Sequence, residues 1–138
     1  MSKVFLDTSY AVALSARTDR HHESAVKLAK ELRESSTHIV TTRAVLLEIG
    51  NALAKVSHRK AAVKLLDALE DDPKVEIVAT ADDLYLRALK LYREREEKEW
   101  GLIDCMSFVV MNDRSLTDAL TADKHFQQAG FNALLLNA

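Results

Sequence analysis

Four acidic residues of this chain interrupt or border apolar segments, where a carboxylate is normally disfavoured. Asp7 and Asp123 each follow an apolar run, Glu48 lies within one, and Asp104 opens one. Buried carboxylates need partners, and these four runs contain no Lys or Arg. If the fold gathers the charges, two of them about 5 Å apart repel by roughly 3 kcal/mol at an effective dielectric of about 20. The pattern therefore predicts a bound divalent cation, as in a metal-dependent enzyme.

The predicted ligands indicate which cation and which chemistry. Carboxylate oxygens, without His or Cys ligands, favour the hard cations Mg²⁺ or Mn²⁺ over zinc. Such sites suit phosphodiester hydrolysis, because the metal neutralises the scissile phosphate and lowers the pKa of an attacking water. The histidines have no metal-ligand spacing among themselves, so we interpret all five as surface or structural residues: His21, His22, His38, His58 and His125.

Other polar side chains lie near the four acids in sequence. Hydroxyl and amide groups could orient the carboxylates or metal-bound waters. These candidate supporting residues are Thr8, Ser9, Asn51, Ser107 and Thr121. Asn51 follows Glu48 by three residues and so shares its helix face. Arg43 and Lys124 are candidates for contacts with substrate phosphate, with an ordinary exposed or helix-capping role as the alternative.

Short apolar runs alternate with segments of helical periodicity, which predicts βαβ units. The predicted strands are 4–6, 38–41, 75–78, 119–122 and 133–136. The predicted helices are 23–33, 43–56 with Thr42 as its cap, 61–69, a helix reaching about residue 96 after a capping box of Thr80 and Asp83, and 104–112. This order predicts an α/β fold with a mostly parallel sheet covered on both faces.

In such a sheet, ligands bind at the carboxyl ends of the strands, where strand order reverses. Asp7 and Asp123 are predicted to lie at this edge, and Asp104 falls in the first turn of its helix. Each acid alone also has a structural interpretation. Asp7 and Asp123 could cap the turn or helix that follows, and Asp104 could interact with the helix dipole. Glu48 has the weakest structural alternative, since its helix is otherwise apolar.

Length and composition limit the function classes. The 138 residues predict one domain spanning 1–138, and 48% hydrophobic with 29% charged residues is typical of a soluble globular protein. A net charge of −2 counts against a passive nucleic-acid binder but permits a nuclease whose metals supply positive charge. Cys105 is the only cysteine, so an intrachain disulfide is excluded. No apolar run is long enough to cross a membrane, and no signal-peptide core follows Met1, so we expect a cytoplasmic location.

The segments around the four acids resemble the PIN-domain family, specifically the VapC-like toxin ribonucleases of toxin–antitoxin systems. The matching segments, in the family's order, are 4–9, 41–53, 102–107 and 118–126. The resemblance implies that Asp7, Glu48, Asp104 and Asp123 form the acidic quartet that holds Mg²⁺ or Mn²⁺. It also implies a PIN-like three-layer α/β/α sandwich whose five-stranded sheet has the order 3-2-1-4-5.

The same resemblance implies a function. Family members cleave RNA endonucleolytically with a metal-activated water, bind a small antitoxin protein that occupies the active-site groove, and usually form homodimers. One departure concerns Ile103, which stands immediately before the third acid where the family often has Thr or Ser. The alternatives are therefore a PIN domain of RNA processing outside toxin systems, or a catalytically weak module that binds RNA or a protein partner.

Two other α/β classes fit the sequence less well. A phospho-accepting receiver domain needs adjacent acids after its first strand, but Thr8 follows Asp7, and no Lys ends the last predicted strand. A phosphatase of the haloacid-dehalogenase type needs a second Asp two residues after the first, where this chain has Ser9. A metal-dependent endoribonuclease is therefore the function that the sequence favours.

Overall fold

The sheet is the framework on which the acidic residues are placed. The structure, a computed structural model, describes residues 3–137. Its strands are β1 (Lys3–Leu6), β2 (His38–Thr42), β3 (Val75–Val78), β4 (Asp118–Leu120) and β5 (Asn132–Ala133). They form a parallel sheet of order β3-β2-β1-β4-β5. The predicted α/β class and the order 3-2-1-4-5 are confirmed, and the order reverses between β1 and β4.

The helices form two groups. They are α1 (Thr8–Ser15), α2 (His22–Ser35), α3 (Arg43–Ala52), α4 (Val56–Asp71), α5 (Asp82–Glu94), α6 (Leu102–Asp113) and α7 (Lys124–Gln128). Helix α1 contacts α2, α3 and α4, whereas α6 contacts α5 and α7. Within residues 3–137, no helix is both long enough and apolar enough to cross a bilayer.

Burial along the central strand shows that helices cover both faces of the sheet. Val4, Phe5 and Leu6 are consecutive in β1, and each is at most 1% exposed. Because successive side chains of a strand point to opposite faces, burial of all three requires a layer on each side. The predicted three-layer arrangement is therefore observed, with the core lying on both faces of β1.

Two strands end earlier than the sequence predicts. Strand β4 ends at Leu120 and not at residue 122, so Asp123 lies three residues beyond the strand. Strand β5 ends at Ala133, because the chain then turns and the Leu136 N–H donates to the Ala133 carbonyl at 3.0 Å. An apolar run alone does not separate a strand from the buried turn that follows it.

The helix predictions also need correction. Helix α1 was not predicted, α3 stops at Ala52 and not at residue 56, and α4 begins at Val56 and not at residue 61. The predicted Thr42 cap of α3 is observed, with Thr42 Oγ1 accepting from the Val45 N–H at 3.1 Å. The predicted capping box at Thr80 is wrong: α5 starts after Ala81 without a side-chain cap and ends at residue 94.

Candidate active site

The four predicted acids line one cleft at the carboxyl edge of the sheet. The cleft has a volume of about 450 Å³ and is lined by Asp7, Thr8, Ser9, Val12, Asp19, His21, Glu48, Asp104, Ala122, Asp123 and His125. Asp7 follows β1, Glu48 projects from α3, Asp104 lies in the first turn of α6, and Asp123 precedes α7. The fold thus brings together side chains that are as much as 116 positions apart in the sequence.

Asp7 is the most deeply buried of the four, with 4% of its surface exposed. Its backbone N–H donates to the Leu120 carbonyl at 3.2 Å, which fixes it where β1 and β4 end side by side. Its Oδ2 accepts hydrogen bonds from Thr121 Oγ1 at 2.7 Å and from Ser9 Oγ at 3.1 Å. The two hydroxyl oxygens lie 2.9 Å apart. This network fixes the carboxylate in one orientation.

The environment of Asp7 opposes its ionisation. Burial raises the pKa of the Asp7 carboxyl from 3.8 to about 6, and the nearby charge of Asp104 acts in the same direction. The hydrogen bonds from Thr121 and Ser9 lower this pKa but do not cancel the effect of burial. An ionised Asp7 is therefore held here at a free-energy cost, which a bound cation would reduce.

Glu48 faces the same cleft from helix α3, whereas Asp7 follows strand β1. Helix α3 buries Val45 and Ile49 and leaves Glu48 partly exposed beside Asp7. Thr8 Oγ1 donates a hydrogen bond to Glu48 Oε1, which links the start of α1 to α3. The Thr8 hydroxyl therefore orients the Glu48 carboxylate.

Asp104, Asp123 and His125 form a cluster on the other side of the cleft. Asp104 Oδ2 accepts from the Gly101 N–H at 3.2 Å, and Asp123 Oδ1 accepts from the His125 N–H at 2.8 Å, which caps α7. His125 Nδ1 lies 3.1 Å from Asp104 Oδ2 and 3.3 Å from Asp123 Oδ1. Burial raises the pKa of Asp104, and the charge of Asp123 raises it further. The structural interpretations made from the sequence, a helix-dipole contact for Asp104 and a helix cap for Asp123, are thus compatible with their position in the cleft.

Four of the predicted accessory residues lie elsewhere. Ser107 is buried and donates its hydroxyl to the Ile103 carbonyl at 3.0 Å, so its proton is used within α6 and is not donated to a carboxylate. Asn51 is exposed and is absent from the cleft lining. Arg43 forms an ion pair with Glu70 on α4. Lys124 lines an adjacent pocket of about 260 Å³, together with Glu97, Lys98, Glu99, His125 and Gln128.

The cleft also contains residues that sequence reasoning did not select. Asp19 and His21 enter it from the turn between α1 and α2, where Asp19 Oδ1 accepts from the His21 N–H at 2.8 Å. His125 was interpreted as a surface or structural residue, yet its ring lies between two of the acids. For His125 a signal existed, because it follows Asp123 by two residues within a segment that carries the family resemblance.

The donor set of the cleft fits a divalent cation. Five carboxylates line it, from Asp7, Asp19, Glu48, Asp104 and Asp123, and none of its described lining residues is Lys or Arg. Within the described residues, one oxygen each from Asp104 and Asp123 and a nitrogen of His125 lie within 4.8 Å of one another. Convergent carboxylates without basic partners are disfavoured unless a cation or protons compensate them.

The fold and this acidic edge define the class of protein, and comparison with known families agrees. Residues 4–132 match the PIN domain family, so the chain belongs to it. Over 130 residues, 93% of this chain and 95% of the relative, it is 32% identical to the 23S rRNA-specific endonuclease VapC20 of Mycobacterium tuberculosis, in the CDC 1551 / Oshkosh and the ATCC 25618 / H37Rv strains.

A solved structure shows the same relationship in three dimensions. The crystal structure of M. tuberculosis VapC20, described as a sarcin–ricin loop cleaving toxin, superposes with a TM-score of 0.81 and 28% sequence identity. The match covers 94% of this chain and 96% of that chain. The chain is therefore a PIN-domain homologue of a ribonuclease toxin, which confirms the resemblance found in the sequence.

Proposed function

We propose that this chain, as a single PIN-like domain spanning 1–138, is a Mg²⁺- or Mn²⁺-dependent endoribonuclease and the toxin of a toxin–antitoxin pair. The observation that carries the proposal is the convergence of the four acids on one cleft, in a chain that belongs to the PIN family. Among residues 3–137, the lining of this cleft contains no Lys or Arg. Its similarity to VapC20 supports RNA as the substrate class.

The proposed roles follow from the contacts in the cleft. Asp7, Glu48, Asp104 and Asp123 are the residues that would hold the cation. When bound, such an ion neutralises charge on the scissile phosphate and lowers the pKa of an attacking water. Three hydroxyls orient two of these carboxylates: Thr8 donates to Glu48, and Ser9 and Thr121 donate to Asp7. Convergent oxygens held by fixed donors form a binding site without further rearrangement.

We propose that the RNA backbone extends from the cleft toward Lys124. The pocket that Lys124 lines shares His125 with the cleft and also contains Lys98. A phosphate next to the scissile one could therefore bind to the positive charge of these lysines. Arg43 is the weaker candidate for substrate contact, because its guanidinium already pairs with Glu70.

A cleavage assay with matched carboxylate variants tests the proposal. Purified protein is incubated with a mixed RNA pool and with a 23S rRNA sarcin–ricin stem-loop, in Mn²⁺, in Mg²⁺ or in EDTA. We expect internal cleavage of RNA that requires the cation and falls by about 100-fold or more in Asp7→Asn and Asp104→Asn. Asp67→Asn is the control, because it removes an exposed carboxylate on α4 outside the cleft.

Two results would contradict the proposed function. Cleavage that persists unchanged in both cleft variants would remove the four acids from the mechanism. RNA binding without cleavage in either cation would favour the alternative of a binding module.

We further propose two protein partners and a cellular location. The partners are a cognate antitoxin, whose basic side chains would neutralise the acidic cleft while covering it, and a second copy of this chain. Exposed apolar residues on α3 and α4, Leu47, Val56 and Val63, support the second copy. The proposed location is the cytoplasm, where RNA substrates are found.

A further inference from the structure

We propose that the His125 imidazole is a direct ligand of the cation, so that Asp104, Asp123 and His125 form a mixed nitrogen and oxygen site that selects Mn²⁺ over Mg²⁺. This rests on the proposed function only in requiring that the cleft bind a divalent cation. It changes the expectation for the metal, because an all-oxygen set has no such preference for a transition-metal ion.

The spacing of the donor atoms matches one coordination sphere. His125 Nδ1 lies 3.1 Å from Asp104 Oδ2 and 3.3 Å from Asp123 Oδ1, and the three donors all lie within 4.8 Å of one another. Neighbouring ligands of an octahedral ion with bonds of about 2.1 Å are separated by about 3 Å. The 3.1 Å contact is a hydrogen bond between His125 Nδ1 and Asp104 Oδ2, and its length is also the one expected between two ligands of a single ion.

The backbone that carries the His125 ring is anchored to the core. His125 lies in the first turn of α7, and its backbone N–H is fixed by Asp123 Oδ1 at 2.8 Å. The next residue, Phe126, is fully buried and packs edge-to-face on Phe108 with ring centroids 5.0 Å apart. Because Phe108 belongs to α6, which also carries Asp104, this contact joins the helix of Asp104 to the helix of His125.

Metal preference follows from the nitrogen donor. Mg²⁺ retains water and oxygen ligands and loses its hydration shell reluctantly, whereas transition ions accept imidazole readily. A His125 nitrogen among the ligands would therefore favour Mn²⁺ over Mg²⁺. We expect the wild-type protein to bind Mn²⁺ at least about tenfold more tightly than Mg²⁺, with His125→Ala reducing that ratio by about tenfold.

Pulsed electron paramagnetic resonance of the Mn²⁺-loaded full chain tests the ligand directly. The wild type is expected to show nitrogen hyperfine coupling from an imidazole, and both His125→Ala and His125→Asn are expected to lose it while still binding Mn²⁺. His21→Ala is the matched control, because His21 also lines the cleft but lies on the turn between α1 and α2, so this variant should keep the signal. Calorimetric titration of each variant with Mn²⁺ and Mg²⁺ gives the affinity ratio, and thermal melts establish folding.

The possible outcomes distinguish His125 from His21 as the nitrogen ligand and test whether the cleft binds a cation. Mn²⁺ binding without nitrogen coupling in the wild type, or coupling that survives both His125 substitutions, would overturn the inference while leaving the proposed nuclease intact. Coupling lost only in His21→Ala would transfer the ligand role to His21. Absence of any Mn²⁺ binding would overturn the inference together with the proposed cation dependence.

Discussion

Asp7 shows how a single residue links stability to the site. Its carboxylate is almost fully buried and lies beside Asp104, so ionisation at neutral pH opposes folding. The shift of its pKa from 3.8 to about 6 corresponds to about 3 kcal/mol. Such a cost is typical of functional residues, where the environment serves ligand binding rather than the stability of the free protein.

Replacing Asp7 by Asn should therefore stabilise the metal-free protein. A carboxyl whose pKa is higher in the folded state destabilises the fold as it ionises, so the cost is absent below pH 3.8, grows up to about pH 6 and is complete above it. We expect Asp7→Asn in EDTA at pH 7.5 to raise the free energy of unfolding by about 1 to 3 kcal/mol. Urea denaturation at pH 7.5 and at pH 4 measures this difference.

The exposed Asp67→Asn serves as the control and should change stability by less than about 0.5 kcal/mol. Saturating Mn²⁺ should stabilise the wild type more than Asp7→Asn, since only the wild type gains compensation of the buried charge. A variant that is no more stable than the wild type at pH 7.5, or that keeps its full advantage at pH 4, would contradict this account.

The four acids could be found from the sequence because each lies in or beside an apolar segment, where a carboxylate is unexpected. Asp19, His21 and His125 are not marked in this way. Asp19 and His21 lie in a polar turn, where such residues are ordinary. Only the path of the chain between α1 and α2 brings them to the cleft. Ser107 illustrates the opposite error. It lies one turn after Asp104, but a helical Ser readily donates to the carbonyl four residues earlier, as it does to Ile103 here.

At the scale of elements, the start of α3 positions Glu48 and depends on two threonines. Thr42 Oγ1 accepts from the Val45 N–H at 3.1 Å, and Thr80 Oγ1 accepts from the Ala44 N–H at 3.1 Å. Thr80, which the sequence assigned to the start of α5, therefore serves a different helix. Two of the otherwise unpaired N–H groups at the start of α3 are satisfied in this way.

Removing the Thr42 cap should destabilise the fold without removing any cleft residue. We expect Thr42→Ala to lower the free energy of unfolding by about 1 to 2 kcal/mol, because the Val45 N–H loses its acceptor in a buried position. Thr42→Ser, which keeps the hydroxyl, should recover most of the loss. Thr117→Ala is the exposed control. Equal losses in the Ala and Ser variants, measured by urea denaturation, would assign the effect to the missing methyl group instead.

The helix positions that the sequence does not predict have two physical causes. Helix α1 lacks an amphipathic period, because Thr8, Tyr10, Ala11 and Ala13 are all buried around it. The break between α3 and α4 spans residues 53–55 and contains neither Gly nor Pro, the residues that usually mark a helix end. Strands β1 and β3 were found within one residue, because short β-branched and aromatic runs are a local property.

At the scale of the whole molecule, the distribution of charge matters more than its sum. The net charge of −2 is small, yet five carboxylates face one cleft. The counterbalancing Lys and Arg residues include several in exposed ion pairs away from the cleft, such as Arg87 with Asp113 and Arg114 with Glu76. Composition therefore could not reveal the site, although the order of the acidic segments along the chain could.

The apolar surface of α3 and α4 bears on the proposed homodimer. Val56 and Val63 are seven residues apart on α4, so they share one helix face, and they are 93% and 49% exposed. Val26 on α2 is 46% exposed and so provides a match in residue type and exposure on a different surface.

We expect light scattering of the wild type to give twice the 15.4 kDa chain mass. Val63→Glu should shift it toward the monomer, because a charge buried in an interface lacks a partner, whereas Val26→Glu should leave it unchanged. A monomeric wild type, or equal effects of the two substitutions, would exclude this face as the dimer interface. Since Glu48 belongs to α3, a dimer through this face would also fix the distance between the two acidic clefts.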